Sequence, residues 1–172
     1  MVTNESFNAP ILEEIKVKFS IEYEDYLIES DTDSTNKIAD NDLIMFHASS
    51  VLFYKIICEY YIKALREGYL IFRSEQDFSH ENNEISIMKT QNQYEVIRKM
   101  KTNGANYRLS TQDIIDKLKN IFERFPFIVI GAGIDWVEAV FLEKPDEMLI
   151  LAKEIRQFCP DIVTQGTKTV KN

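Results

Sequence analysis

Residues 127–142, FIVIGAGIDWVEAVFL, decide the fold of this chain. The unbroken apolar run 127–130 is followed by Gly131-Ala132-Gly133, and the chain then returns as a second strand-like segment over 136–142. Two such segments joined by a short, glycine-containing turn are typical of an antiparallel β-hairpin. A dinucleotide-binding loop would need a third glycine where Trp136 stands and a helix after it, so the sequence favours the hairpin.

A helix is predicted on each side of this hairpin. Before it, Ser110 and Asp113 form a capping-box pattern, and Pro126 ends the helix predicted over 111–125. After it, Pro145 marks the start of a final helix that ends at Phe158. The residues predicted to face the core are Ile114, Ile115, Leu118, Ile121, Phe122 and Phe125 in the first helix and Met148, Leu151, Ala152 and Ile155 in the last.

The N-terminal part of the chain alternates apolar and polar residues. Val17, Phe19, Ile21 and Tyr23 occupy every second position. This period predicts a half-buried strand over 16–23, and the polar composition of 30–42 predicts a loop.

Residues 43–67 form the strongest predicted helix. Residues 43–54 carry no charge, and a polar stripe then follows at helical spacing: Lys55, Glu59, Lys63 and Arg66. A membrane-spanning helix needs about 20 apolar residues without such a stripe, so we predict a largely buried core helix and no membrane association. The predicted caps are Asn41 or Asp42 at its start and Gly68 beyond its end.

The remaining elements complete an α+β fold. Residues 69–72 and 84–88 predict two strands, and the spacing of Tyr94, Ile97 and Met100 predicts a short helix that ends at Gly104. We therefore predict a single domain over 1–172 with a mainly antiparallel sheet packed with helices. Its parts are an acidic strand and loop (1–42), a long core helix with a strand (43–84), and a second α+β region (85–172).

The net negative charge of the chain is concentrated in its N-terminal part. Residues 1–42 hold eleven acidic and three basic side chains, which equals the whole net charge of −8. Nucleic-acid binding needs clustered basic residues, so this distribution disfavours it. An acidic surface can instead steer a basic protein partner, with Glu22, Glu24, Asp31 and Asp33 as candidate contacts. Residues 1–10 lack the basic start and the apolar core of a signal peptide, which predicts a cytoplasmic protein.

The reactive side chains do not form a recognisable catalytic or metal site. Cys58 and Cys159 are far apart in sequence and predict two reduced, buried thiols. His47 and His80 have no partner visible in the sequence. The acidic segment that begins at Asp31 resembles a calcium loop but lacks its central glycine. We predict no metal and no other cofactor, and the balance of these observations is against an enzyme.

Two groups of polar residues are candidates for a site or for structural turns. The first is a set of carboxylates, Asp135, Glu138 and Asp161, of which Glu138 is expected on the same strand face as Trp136. The second is the amide-rich turn containing Asn103, Asn106 and Tyr107. Asp and Asn commonly accept backbone N–H bonds in their own turns, so a structural role is the favoured interpretation.

Three motifs, TNGANY (102–107), GAGIDW (131–136) and CPDIVTQG (159–166), resemble a bacterial family known as domain of unknown function 4253. The resemblance covers residues 85–170, adds Gln165 to the candidate residues and implies no reaction. Small acidic members of this family resemble the immunity proteins that neutralise bacterial toxins, by analogy alone.

Two hypotheses follow from the sequence. The first is a non-catalytic protein-binding module, such as an immunity-type protein that neutralises a basic toxin. The alternative is an enzyme or small-ligand binder that uses Asp135, Glu138 and Asp161. The observation that separates them is whether these side chains line one open pocket or are occupied in turns.

Overall fold

The computed structural model describes residues 7–30, 33–77 and 79–160, and at 29, 30 and 33–38 it describes the backbone alone. These residues contain five α-helices, six β-strands and a 3-10 helix, Ala105–Tyr107. The helices are α1 (Pro10–Phe19), α2 (Ser50–Arg66), α3 (Gln93–Lys99), α4 (Thr111–Arg124) and α5 (Met148–Phe158). The strands are β1 (Glu24–Ser30), β2 (Asp33–Ala48), β3 (Tyr69–Glu75), β4 (Asn83–Lys89), β5 (Phe127–Ala132) and β6 (Val137–Phe141).

The six strands form one mixed sheet in the order β1-β2-β4-β3-β5-β6. Every neighbouring pair is antiparallel except β3 and β5, which run parallel. Helix α2 packs on β3 and α1, and α3 contacts α4 and β5. The predicted α+β class with a mainly antiparallel sheet is confirmed.

The predicted hairpin is present in the structure. Strands β5 and β6 pair antiparallel, and the Gly133 amide donates to the Trp136 carbonyl over 3.0 Å to close the turn. A register shift between Val129 and Gly131 places Glu138 opposite Gly131. Such a bulge changes the direction in which neighbouring side chains point, and here it lies beside the candidate site.

The strand predicted over 16–23 is wrong. Helix α1 occupies the first half of that segment because Pro10 is compatible with a first helical turn, and Ile11, Leu12 and Ile15 are buried at helical spacing. Val17, a member of the supposed apolar strand face, is 70% exposed. Ser20, in the left-handed region at φ 54°, ends the helix, and the first strand follows at Glu24.

The predicted loop over 30–42 and the predicted start of the long helix are also wrong. Strand β2 runs through both, and helix α2 begins only at Ser50, with the Ser49 hydroxyl accepting from the Leu52 amide. Periodicity failed here because an uncharged run suits a strand as well as a helix, and pairing with β4 decides between them. Gly68 lies just beyond the helix at φ 92°, as predicted.

Two further burial predictions need correction. Helix α2 buries only one face, and Cys58 lies exposed on its other face. Cys159 is partly buried, and neither thiol forms a disulfide within the described residues. In α5, Leu151 is buried as predicted but Met148 is exposed. The capping box of Ser110 and Asp113 at the start of α4 is confirmed.

The hydrophobic core lies against the central strands, and most of its largest members are aromatic or β-branched. Tyr60 and Phe53 of α2, Phe72 of β3 and Phe127 of β5 are almost fully buried. Among the described helices, none combines the length and the apolar composition needed to cross a bilayer.

Candidate functional site

An open cleft of about 490 Å³ lies where the start of α2, the end of β3 and the β5–β6 hairpin meet. We refer to it as the Arg73 cleft. Its lining residues are Ser50, Tyr54, Arg73, Gln76, His80, Trp136, Val137 and Glu138. The elements that supply these residues are far apart in sequence, so the cleft is a product of the tertiary fold.

The guanidinium of Arg73 is the most unusual group in this cleft. The side chain is only 3% exposed, and its Nη1 lies 3.5 Å from Oε2 of Glu138. The guanidinium carbon lies 4.7 Å from the ring centre of Phe53 and 5.4 Å from that of Tyr54, so both rings contribute cation–π attraction. Within the described part of the chain, its Nε and Nη2 atoms are buried and have no hydrogen-bond partner.

Glu138 connects this arginine to α2. The Tyr54 hydroxyl donates to Oε1 of Glu138 over 2.6 Å. This hydrogen bond, burial and the charge of Glu138 raise the pKa of Tyr54, against a smaller opposing effect of Arg73. Tyr54 therefore stays protonated at neutral pH and holds the carboxylate beside the guanidinium.

Trp136 forms one wall of the cleft because two glycines leave room for its indole ring. A Cβ atom at Gly133 would lie 2.2 Å from the indole Nε1, and one at Gly131 would lie 2.8 Å from Cζ3. A Cβ at Gly131 would also meet Glu138, which confirms that Trp136 and Glu138 share one face. The glycines of GAGIDW thus accommodate a side chain. The ring itself is partly exposed rather than buried.

The TNGANY motif supports this wall from behind. The buried Thr102 hydroxyl donates to the Gly133 carbonyl over 2.7 Å, and the Asn103 amide donates to the Ile134 carbonyl over 2.8 Å. The Asn103 side chain accepts from the Ala105 amide over 3.1 Å and so closes its own turn. Asn106 and Tyr107 also have interaction partners. This geometry favours the structural interpretation of the motif.

Asn83 organises the opposite rim. Its buried side chain donates to the Ala48 carbonyl and to the Ser50 hydroxyl, each over 3.2 Å. The His80 carbonyl accepts from the Ser50 amide over 2.8 Å, and His80 itself has φ 62°. These contacts fix His80 and Ser50 beside each other at the start of α2.

Asp77 holds the loop that carries His80. Its carboxylate accepts from the Ser79 hydroxyl and from the amides of Ser79, Glu81 and Asn82. These hydrogen bonds, that of the Ser79 hydroxyl first, lower the pKa of Asp77 to about 2. The loop is therefore built around an ionised carboxylate at neutral pH.

The predicted site residues do not all converge. Trp136 and Glu138 line the Arg73 cleft, whereas Asp135 is exposed at the tip of the hairpin turn and does not line it. Asp161 and Gln165 lie outside the described residues, as does most of the CPDIVTQG motif. The sequence analysis missed Tyr54 and Arg73. The available signal was a lone arginine at the end of the apolar run 69–72.

The acidic N-terminal region is partly neutralised within the fold. Lys99 lies 2.7 Å from the buried carboxylate of Asp40 and 3.2 Å from that of Asp42. Glu22 pairs with Lys16 over 2.8 Å, and Glu24 is exposed on β1. Asp31 and the side chain of Asp33 lie outside the described residues. The acidic surface is therefore weaker than the composition implies.

The side chains that line the cleft have the chemical groups needed to bind a polar molecule. One buried cation, one carboxylate, hydroxyl groups, an imidazole and an indole offer hydrogen bonds and stacking. His80 and Ser50 approach within 3.4 Å, but Ser50 also accepts from Asn83. Across the described ranges, no three His, Cys, Asp or Glu side chains form a group suited to a metal ion.

Comparison with known proteins gives one match. The family model described as "Domain of unknown function (DUF4253)" matches residues 84–172. This range includes the wall formed by Trp136 and Glu138, whereas Tyr54, Arg73 and His80 precede it. No curated protein and no solved structure matches the chain.

Proposed function

Because the chain belongs to the DUF4253 family, whose function is unknown, we propose its function from its site: it is a bacterial cytoplasmic protein that binds a small polar ligand in the Arg73 cleft without chemical conversion. The observation that carries this proposal is the buried Arg73 guanidinium, which has two nitrogen atoms without partners in the described residues. Buried donors normally have partners, and a missing partner at a cleft indicates a ligand.

The surroundings of Arg73 support binding rather than catalysis. Glu138 is engaged by Tyr54 and by Arg73 and therefore does not resemble a free general base. Ser50 and His80 are held in a hydrogen-bonded rim organised by Asn83. Fixed donors and acceptors around an aromatic wall are the usual features of a binding pocket.

The only tryptophan of the chain provides the test, because Trp136 lines the cleft. We would titrate a panel of neutral, cationic and anionic small molecules into the protein and follow tryptophan emission, with calorimetry for those that respond. Gln76→Phe should obstruct the cleft without removing a buried contact, since Gln76 is exposed. Gln157→Phe, an exposed position on α5, is the matched control.

Binders should change the emission of the wild type and of Gln157→Phe, and Gln76→Phe should weaken them by at least about tenfold. Ligands that bind equally well to Gln76→Phe, or that bind without affecting Trp136, would contradict the proposed site.

A second candidate function is binding of a basic protein, as an immunity-type protein binds its toxin. The observation that favours it is β1, an edge strand of the sheet on which Leu27 is 53% exposed and Glu24 is also exposed. Natural proteins usually protect exposed apolar edge strands, and a partner strand is one form of protection.

Affinity capture from the native host tests this second candidate. Replacing Glu22 and Glu24 by Lys should remove a captured basic protein and leave the melting temperature nearly unchanged, because exposed charges contribute little to stability. Reversing Asp116 and Glu123, which are exposed on α4, is the charge-matched control. Equal capture by both variants would exclude the acidic segment as the contact.

A further inference from the structure

We infer that the ligand of the Arg73 cleft carries an oxyanion, a carboxylate or phosphate group, that binds the side edge of the Arg73 guanidinium. This inference rests on the proposed function and names the chemical class of its ligand. The two nitrogens without described partners are Nε and Nη2. Their N–H bonds run parallel along one edge of the guanidinium, which is the edge that binds two oxygens of a carboxylate or phosphate.

The charge balance at Arg73 also favours a second anion. An arginine side chain is always charged, and this one is 3% exposed with a single carboxylate, Glu138, at 3.5 Å. Burying a charged donor without full hydrogen bonding is costly. An acceptor that binds the Nε and Nη2 groups of Arg73 would therefore stabilise the site. A neutral ligand would supply weaker hydrogen bonds to the same edge.

Access to this edge requires a side-chain movement, because both nitrogen atoms are buried. Tyr54 is the group best placed to move: its ring lies over the guanidinium, the residue is 42% exposed, and its hydroxyl donates a hydrogen bond to Glu138. Rotation of Tyr54 would uncover Arg73 and at the same time release one oxygen of Glu138.

The neighbouring groups set how strongly an anion binds. Arg73 attracts it, and the start of α2 at Ser50 adds the positive end of a helix of 17 residues. Glu138 opposes it, because its carboxylate already neutralises part of the Arg73 charge. The substitution Glu138→Gln keeps the shape of the side chain and an acceptor for Tyr54 but removes this competing charge.

The experiment uses acetate and inorganic phosphate as probes of the full-length protein. Binding is followed by Trp136 emission and by the ¹H–¹⁵N resonance of the Arg73 Nε–H group in NMR spectra. The wild type should show saturable binding with a downfield shift of that resonance. Glu138→Gln should bind about tenfold more tightly, because one opposing charge is gone. Arg73→Lys should bind at least about tenfold more weakly, because lysine cannot present a parallel pair of donors.

A merely structural Arg73–Glu138 pair predicts no gain of affinity in Glu138→Gln. The inference is therefore overturned if neither anion binds, or if Glu138→Gln gains nothing and the Arg73 resonance does not move. These results do not depend on whether Arg73→Lys folds. If neutral or cationic molecules still bind at Trp136 while both anions fail, the proposed function stands and the oxyanion class is wrong. Preference for acetate or for phosphate identifies which oxyanion the ligand carries.

Discussion

The hydroxyl of Thr102 donates a hydrogen bond of 2.7 Å to the carbonyl of Gly133 and so joins two sequence motifs that are 31 residues apart. Thr102 is buried, and Gly133 lies directly beneath the indole ring of Trp136. One motif thus holds the turn, and the other places a tryptophan on it. The wall of the Arg73 cleft depends on both.

The first prediction concerns this hydrogen bond. Thr102→Val keeps the shape of the side chain but leaves the Gly133 carbonyl without that donor. We expect a loss of roughly 1–2 kcal/mol in the free energy of unfolding, measured with urea. Thr102→Ser retains the hydroxyl and should lose less. A stable Thr102→Val variant together with a destabilised Thr102→Ser variant would show that the methyl group, not the hydrogen bond, is what matters.

The second prediction concerns the glycine beneath the indole. Gly133→Ala places a Cβ atom at 2.2 Å from the Trp136 nitrogen, so the ring must move. We expect a shift in tryptophan emission and a loss of roughly 1–3 kcal/mol in the free energy of unfolding. In a Trp136→Ala background the same substitution should cost less, which a double-mutant cycle measures.

Gly68→Ala is the control for this second prediction. Gly68 has φ 92° and an added Cβ would meet no atom within 4 Å. Its replacement should cost roughly 1 kcal/mol through backbone strain alone and leave the tryptophan emission unchanged. A change of emission in this control would indicate a general loosening of the fold.

The third prediction concerns Lys99. Burial is the largest single effect on its pKa and lowers it, but the hydrogen bonds and charges of Asp40 and Asp42 together raise the pKa above its ordinary value. Lys99→Met would leave the buried Asp40 carboxylate without its cation, at a cost of roughly 2–4 kcal/mol. Asp42→Asn, at a more exposed partner of the same lysine, should cost roughly 0–1 kcal/mol. Thermal unfolding of both variants checks the difference.

The fourth prediction concerns acid and the loop that carries His80. The pKa of Asp77 falls from 3.8 to about 2 on folding, so its contribution to stability is fully present above pH 3.8 and is lost as the pH falls through about 2. NMR titration should find the Asp77 carboxyl ionised at pH 3. Asp77→Asn should remove this part of the pH dependence and broaden the backbone resonances of 79–82. An ordinary titration of Asp77 would contradict the hydrogen bonds described here.

The predictions from sequence succeeded where local chemistry decides the structure. The capping box at Ser110 needs only a serine, an aspartate three residues later and a following apolar face. Gly68 beyond α2 and the glycine turn of the hairpin are equally local. They failed over residues 16–48, where alternation suggested a strand in place of α1 and polarity suggested a loop in place of β2.

The sequence predicts only some of the residues of the candidate site. Trp136 and Glu138 stand two residues apart and were assigned to one strand face, since side chains alternate along a strand. Tyr54 and Arg73 had no motif to mark them. Arg73 lies near Glu138 because β3 pairs parallel with β5, which brings Arg73 opposite Gly131. Tyr54 reaches Glu138 because α2 packs on β3.

The sequence by itself therefore determined the capping box at Ser110, the glycine beyond α2, the glycine turn of the hairpin and the face shared by Trp136 and Glu138, because these depend on backbone geometry within a few residues. The tertiary structure alone decided that 33–48 is a strand, since β2 obtains its hydrogen bonds from β1 and β4. It also decided that Arg73 is a buried cation beside a cleft: Phe53, Tyr54 and Glu138 cover it from two other elements. Burial and charge pairing arise from non-local contacts, and no local pattern in the sequence specifies them.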